Sequence, residues 1–244
     1  DRSRAAFTVN NNGFSQLYLM DPASREYKAV DDIPTGLVGG LGFSPDGSRL
    51  AMTLNTSQTP SDSFVLSLGK SALDHGDLTR WTYSEVGGLD TNSFVEPELI
   101  HYTTFDDREI PTFVYRPPGD VPFPVIISIH GGPEGQARPA FSATYQMWIE
   151  KLGVAVIQPN VRGSAGYGKS FLGLDNGMKR EDSVRDIGAL LDWIGTQPDL
   201  DAGRVAVYGG SYGGYMVLAA LAYAPEEFAA GVDIFGVSNW LRTL

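Results

Sequence analysis

The residues best suited to chemistry lie at Gly209-Gly210-Ser211-Tyr212-Gly213, which satisfies the pattern G-x-S-x-G. An apolar run, Arg204–Tyr208, precedes it, and a helix-compatible run, Tyr215–Tyr223, follows. A serine between a strand and a helix, flanked by glycines, is the arrangement of a nucleophile elbow. The turn is too tight for bulky neighbours, and it lifts the hydroxyl clear of the sheet at the positive end of a helix. Serine is a weak nucleophile without a base. No histidine follows Ser211 in the 33 residues to Leu244, so the expectation is that the acid and the histidine of a triad lie in sequence beyond this chain.

A second stretch, His130-Gly-Gly-Pro-Glu-Gly-Gln136, follows the apolar run Val125–Ile129. Acyl transfer needs preorganised donors for a developing oxyanion. One backbone N–H next to the nucleophile and another from a glycine-rich loop after an earlier strand fill that need. Tyr212 and Gly132 are the candidates. His130 precedes the loop and reads as a structural group that holds it. Three scattered histidines and no cysteine give no metal site and exclude disulfides and a thiol nucleophile. No cofactor is expected, because the glycine-rich run 159–168 matches neither dinucleotide nor P-loop spacing.

The elements that must position these residues fall in two halves. Residues 1–95 carry short alternating strands broken by Asn, Gly, Asp, Ser and Pro, the last of them expected at Leu78–Tyr83. Asp1–Asn10 lines up with Asp46–Asn55 at an offset of about 45, the period of a β-propeller blade. These residues are expected to be the C-terminal blades of a truncated propeller. From 96 to 244 strands alternate with helices, which argues for a mostly parallel sheet with helices on both faces. Val184, Ile187, Leu190, Leu191 and Ile194 mark a helix over 182–196. Its charged residues Asp182, Arg185, Asp186 and Asp192 read as a solvated face. The fold class is therefore α/β: a partial α/β-hydrolase fold preceded by an all-β propeller remnant.

The net charge of −11 disfavours nucleic acid and anionic membrane as partners. No apolar run approaches a membrane span, and no signal peptide is visible. A soluble chain is expected, cytoplasmic in preference to other compartments. Oligomeric state is left undetermined.

Three motifs, His130-Gly-Gly-Pro133, Asn160-Val-Arg-Gly-Ser-Ala-Gly-Tyr-Gly168 and Gly209–Tyr215, stand in an order and spacing that resembles the prolyl oligopeptidase family of serine peptidases, especially its acylaminoacyl-peptidase-like branch. The resemblance implies Ser211 as nucleophile, and the N–H groups of Gly132 and Tyr212 as the oxyanion hole. It implies short peptides as substrates, because a propeller cap filters by size. Val237-Ser-Asn-Trp240 resembles a pocket-lining segment of dipeptidyl-peptidase relatives, which makes Val237 and Trp240 substrate-pocket candidates. The prolyl oligopeptidase and dipeptidyl-peptidase branches place a tyrosine where this chain has His130, so the resemblance implies a hole of two backbone donors here. The resemblance also implies an internal fragment, inactive alone. Two alternatives stay open at this point: an esterase or lipase on the same fold, and a non-catalytic binding relic.

Overall fold

The computed structural model describes residues 3–240, so Asp1 and Arg2 of the first repeat copy and residues 241–244 lie outside the described residues. The chain divides into two compact units. One comprises residues 1–94 with 139–143, and the other 95–138 with 144–244.

The first unit is built from antiparallel meanders. β1 (Ala5–Asn11), β2 (Phe14–Met20) and β3 (Tyr27–Ala29) form one sheet, and β4 (Leu37–Phe43), β5 (Arg49–Asn55), β6 (Asp62–Leu68) and β7 (His75–Arg80) form another. β1 takes the place of β5 in the repeat, and β2 and β3 follow as β6 and β7 do. The reason for the strands is visible in β5, where Leu50, Met52 and Leu54 are buried and Arg49, Ala51 and Thr53 are exposed. Period-two alternation of this kind puts one face on a core. That core adds Leu17, Leu19, Val30, Val38 and Leu66. The last strand starts at His75 and ends at Arg80, earlier than the Leu78–Tyr83 expected from its apolar residues. β3 carries too little hydrophobic patterning to be seen in the sequence.

Asp62 anchors the end of this second sheet. Its buried carboxylate accepts from Arg80 (2.5 Å), Thr82 Oγ1 (2.7 Å) and the Ser84 backbone (2.9 Å). Burial pushes its pKa up, but the bonds from Thr82, Arg80 and Ser84 outweigh that and leave it below the ordinary carboxylate value.

The second unit holds one six-stranded sheet. β8 (Glu98–Thr103) and β9 (Glu109–Tyr115) form a hairpin at one edge. β10 (Phe123–Ile129), β11 (Ala155–Pro159), β12 (Leu200–Gly210) and β13 (Ala230–Ile234) follow, in the spatial order β13-β12-β10-β11-β9-β8. The four strands β10 to β13 run parallel, and β9 meets β11 antiparallel. Parallel strands sheltered on both faces read as continuous apolar runs. β11 is buried at all five positions.

Helices α1 (Ala143–Leu152), α2 (Lys169–Leu172), α3 (Arg180–Thr196) and α4 (Tyr212–Tyr223) complete the unit. α3 and α4 share one face of the sheet: Val184, Ile187, Leu190, Met216 and Val217 join Val125, Ile127, Val205 and Val207 in one core. α1 lies on the opposite face, where Trp148 meets the Tyr208 ring and the Tyr145 hydroxyl lies 2.8 Å from Ser128 Oγ.

One sequence expectation is corrected here. Asp186 does not belong to a solvated face: it is fully buried. It accepts from Arg162 Nη2 (2.8 Å), from the Arg162 backbone (3.0 Å) and from Thr104 Oγ1 (2.8 Å). Burial raises its pKa, and the Arg162 guanidinium opposes that rise. Helical spacing alone cannot distinguish an outward carboxylate from one facing a buried arginine.

Candidate active site

Ligands in open α/β sheets gather beyond the carboxyl ends of parallel strands. The motif residues follow that rule strand by strand. The loop 130–136 leaves β10, the loop 160–168 leaves β11, Ser211 leaves β12, and the segment 235–240 leaves β13.

Ser211 is exposed and adopts φ 56° and ψ −117°. A serine in that region costs about 1–3 kcal/mol, so the surroundings must hold it there. Three backbone bonds do so. Ser211 N–H donates to the Ile234 carbonyl (3.0 Å), and the Ser211 carbonyl accepts from Tyr215 N–H (3.1 Å) and Val237 N–H (3.4 Å). The flanking glycines are required by space. A Cβ on Gly213 would lie 2.1 Å from the Ile129 carbonyl oxygen, and one on Gly209 would lie 2.5 Å from the Gly213 backbone. β12, β10 and α4 can meet at this spot only because both side chains are missing. The serine sits at the N-terminus of the 12-residue α4, where free amides and the helix dipole favour developing negative charge.

The loop after β10 folds against the elbow. Gly131 packs so closely that a Cβ there would come within 3.5 Å of Ser211 Cβ. Gly132 has φ 138°, a conformation natural only to glycine, and a Cβ there would lie 2.4 Å from the Gly135 amide nitrogen and 2.5 Å from that of Glu134. His130 Nδ1 donates to the Gly131 carbonyl (2.8 Å), and Nε2 lies 2.8 Å from Ser164 Oγ in the next loop. Burial lowers its pKa, against the bond to Gly131. Ala165 N–H donates to the Gly135 carbonyl (2.8 Å) and ties the same two loops. Arg162 stands behind them with its side chain only 3% exposed, clasped between Asp186 and Asp106.

Tyr212 turns its side chain inward, 1% exposed. Its hydroxyl donates to Asp175 Oδ2 (3.1 Å) and lies 2.8 Å from Ser183 Oγ. Burial raises the phenol pKa. Trp240 packs edge-on against Tyr215 (5.1 Å between centroids) and tilted against Tyr212 (6.2 Å). Val237 is joined to Ser211 through its amide, as above. The structure thus gathers Ser211, Tyr212, Val237 and Trp240 in one neighbourhood, with Gly131 beside the serine and Gly132 next in the same turn. Asp233, an acid after Ser211, is spent on structure: its Oδ1 accepts from Gly236 N–H (2.8 Å). His101 lies on β8, at the far edge of the sheet from β12. The Asp175–Arg180–Ser183 group was not anticipated, because single polar residues in a loop and a first helical turn carry no signal of shared burial. Among the described residues no cluster of His, Cys, Asp and Glu could hold a metal ion. No helix there is long and apolar enough to cross a membrane.

Residues 139–244 match the prolyl oligopeptidase family. Over that stretch the chain is similar to this family. It is similar to dipeptidyl aminopeptidase BIII of Pseudoxanthomonas mexicana, at 39% identity over 51% of this chain and 18% of the relative. It is also similar to the acylamino-acid-releasing enzyme of Rattus norvegicus, at 30% identity over 55% of this chain and 18% of that protein. Among solved structures, Pyrococcus horikoshii acylaminoacyl peptidase superposes with a TM-score of 0.78 at 25% identity, over 99% of this chain and 37% of the other. The chain spans less than a third of the length of these curated relatives. The fold is that of this family's members: blades of a β-propeller followed by part of an α/β-hydrolase domain.

Proposed function

We propose that this chain is part of a serine peptidase that cleaves short peptides through a Ser211 acyl-enzyme. The observation that carries this reading is the strained, exposed Ser211 at the start of α4, with Gly131 beside it, where an added Cβ would lie 3.5 Å from the Ser211 Cβ. Ser211 Oγ attacks the peptide carbonyl. The N–H groups of Gly132 and Tyr212 hold the oxyanion, each worth about 2.7–4 kcal/mol of barrier. Val237 and Trp240 wall the pocket for the residue before the scissile bond, with the buried Tyr212 ring packed behind Trp240. Hydrolysis of the acyl-enzyme completes the cycle.

The general base comes from outside this stretch. His130 has both ring nitrogens committed, and His101 stands at the far sheet edge. An acid and a histidine supplied by the full-length protein complete the triad, and these 244 residues alone turn over little. The relatives named for releasing acylated amino acids or dipeptides support a peptide substrate, and the propeller blades support a size-filtered one.

The test uses the full-length protein. A fluorophosphonate should label Ser211, and acylaminoacyl- or dipeptidyl-anilides should be hydrolysed. Turnover of p-nitrophenyl esters without anilides would make it an esterase. An unlabelled Ser211 would reduce the elbow to a binding relic.

A further inference from the structure

Arg180, at the first position of α3, is not in the sequence motifs, yet it reaches the site. Its Cζ lies 5.3 Å from the Tyr212 ring centroid and 4.9 Å from that of Trp240. One guanidinium therefore sits against both aromatic rings beside Ser211. It does not get there as a loose surface cation. Its side chain is 20% exposed, and Nη1 donates to Asp175 Oδ2 at 2.7 Å. Asp175 is fully buried, and the same Oδ2 accepts from the Tyr212 hydroxyl. Asp175 is itself fixed under the loop 160–168: Gly163, at φ 91°, has no room for a Cβ, which would fall 2.3 Å from the carboxylate. Ser183, one turn along α3 from Arg180, lies against the Tyr212 hydroxyl from the other side.

The consequences for the two rings differ. Tyr212 is pinned at its backbone by the elbow and at its hydroxyl by Asp175 and Ser183. Trp240 lies on an irregular segment after β13 and is held by ring contacts to Tyr212 and Tyr215 and by Arg180. A cation over an aromatic face is worth roughly 0.5–2 kcal/mol, more when desolvated. The planar guanidinium, oriented by a buried carboxylate, can hold one face of each ring at once, which an ammonium cannot.

We infer that Arg180, oriented by Asp175, is a positioning residue that sets side-chain selectivity beside Ser211 by holding the Trp240 ring at a fixed place relative to Tyr212. The inference rests on the peptidase reading above and deepens it. Arg180 touches no reacting atom, so its loss should change which side chains are accepted more than how fast the bond is broken.

The full-length protein is compared with R180K and with the double variant R180M/D175N. The double variant avoids stranding a buried carboxylate and leaves an amide for the Tyr212 hydroxyl. The readout is kcat/KM for two anilides that differ only in the residue before the scissile bond, phenylalanine or alanine, with kcat and KM separated. In the double variant the Phe/Ala ratio should move at least tenfold toward one, carried by KM, and R180K should fall between it and the wild type. Parallel loss of kcat on both substrates, or an unchanged ratio, would overturn the inference and leave the peptidase reading standing. Failure of a fluorophosphonate to label Ser211 in the wild type would overturn both.

Discussion

Adding one methyl group at Gly213 should damage both stability and reactivity, whereas the same change at Gly188 should improve stability. At Gly213 an alanine Cβ would fall 2.1 Å from the Ile129 carbonyl oxygen, 2.9 Å from its carbon and 3.0 Å from the His130 carbonyl. All three are backbone atoms of β10 and the loop it feeds, so no side chain can swing aside. Restoring contact to 3.0 Å, the shortest that real Cβ atoms show, requires α4 to retreat from β10 by roughly an ångström. Overpacking of this kind costs about 1–3 kcal/mol. For a domain of this size that lowers Tm by roughly 2–10 °C. A misplacement near 1 Å also costs about 10²-fold in rate where geometry governs the reaction. Gly188, within α3, has nothing within 4 Å of its Cβ position. Alanine there gains about 0.8–1 kcal/mol of helix propensity, or roughly 2–4 °C. Melting followed by tryptophan fluorescence reports mainly the second unit, which holds Trp148, Trp193 and Trp240. The rate of fluorophosphonate labelling of Ser211 in the full-length protein reports the elbow. If G213A melts with the wild type and labels at the same rate, α4 and β10 do not meet as described and the elbow argument fails.

Other expectations are as direct. R162M should destabilise the second unit by about 3–5 kcal/mol, because it leaves Asp186 buried without its cation; R162M/D186N should recover most of that loss in a urea titration. Asp62 has a folded pKa below its unfolded value of about 3.9. Its contribution is therefore complete above that unfolded value and is lost as pH falls through the lower folded one; D62N should flatten the acid limb of the first unit's stability profile, and an unchanged limb would refute the assignment. Asp46 should titrate at about 2 by NMR, held down first by the Ser44 hydroxyl and then by Ser48, and S44A should raise that value.

How much of this was legible in the sequence depends on the range of the interaction involved. The elbow was legible because it is local: Gly209, Ser211 and Gly213 answer a steric demand imposed within five residues, and only glycine meets it. The parallel strands were legible for a related reason, since burial on both faces leaves continuous runs such as Val125–Ile129. Short polar strands were not, and β3 escaped because Tyr27-Lys-Ala29 has no alternation to read. The networks behind the site depend on residues far apart in the chain. Asp186 and Asp192 stand on one helix with the same chemistry, yet one is fully buried against Arg162 and the other is exposed. Their difference is fixed by where β11 delivers an arginine 24 residues upstream, which no window along α3 contains. Asp175 and Arg180 make the same point closer to the chemistry, since their burial is set by Gly163 and Tyr212. Motif glycines thus declare where the backbone must bend, while the charged residues packed behind the Tyr212 and Trp240 rings become visible only once the strands have brought their loops together.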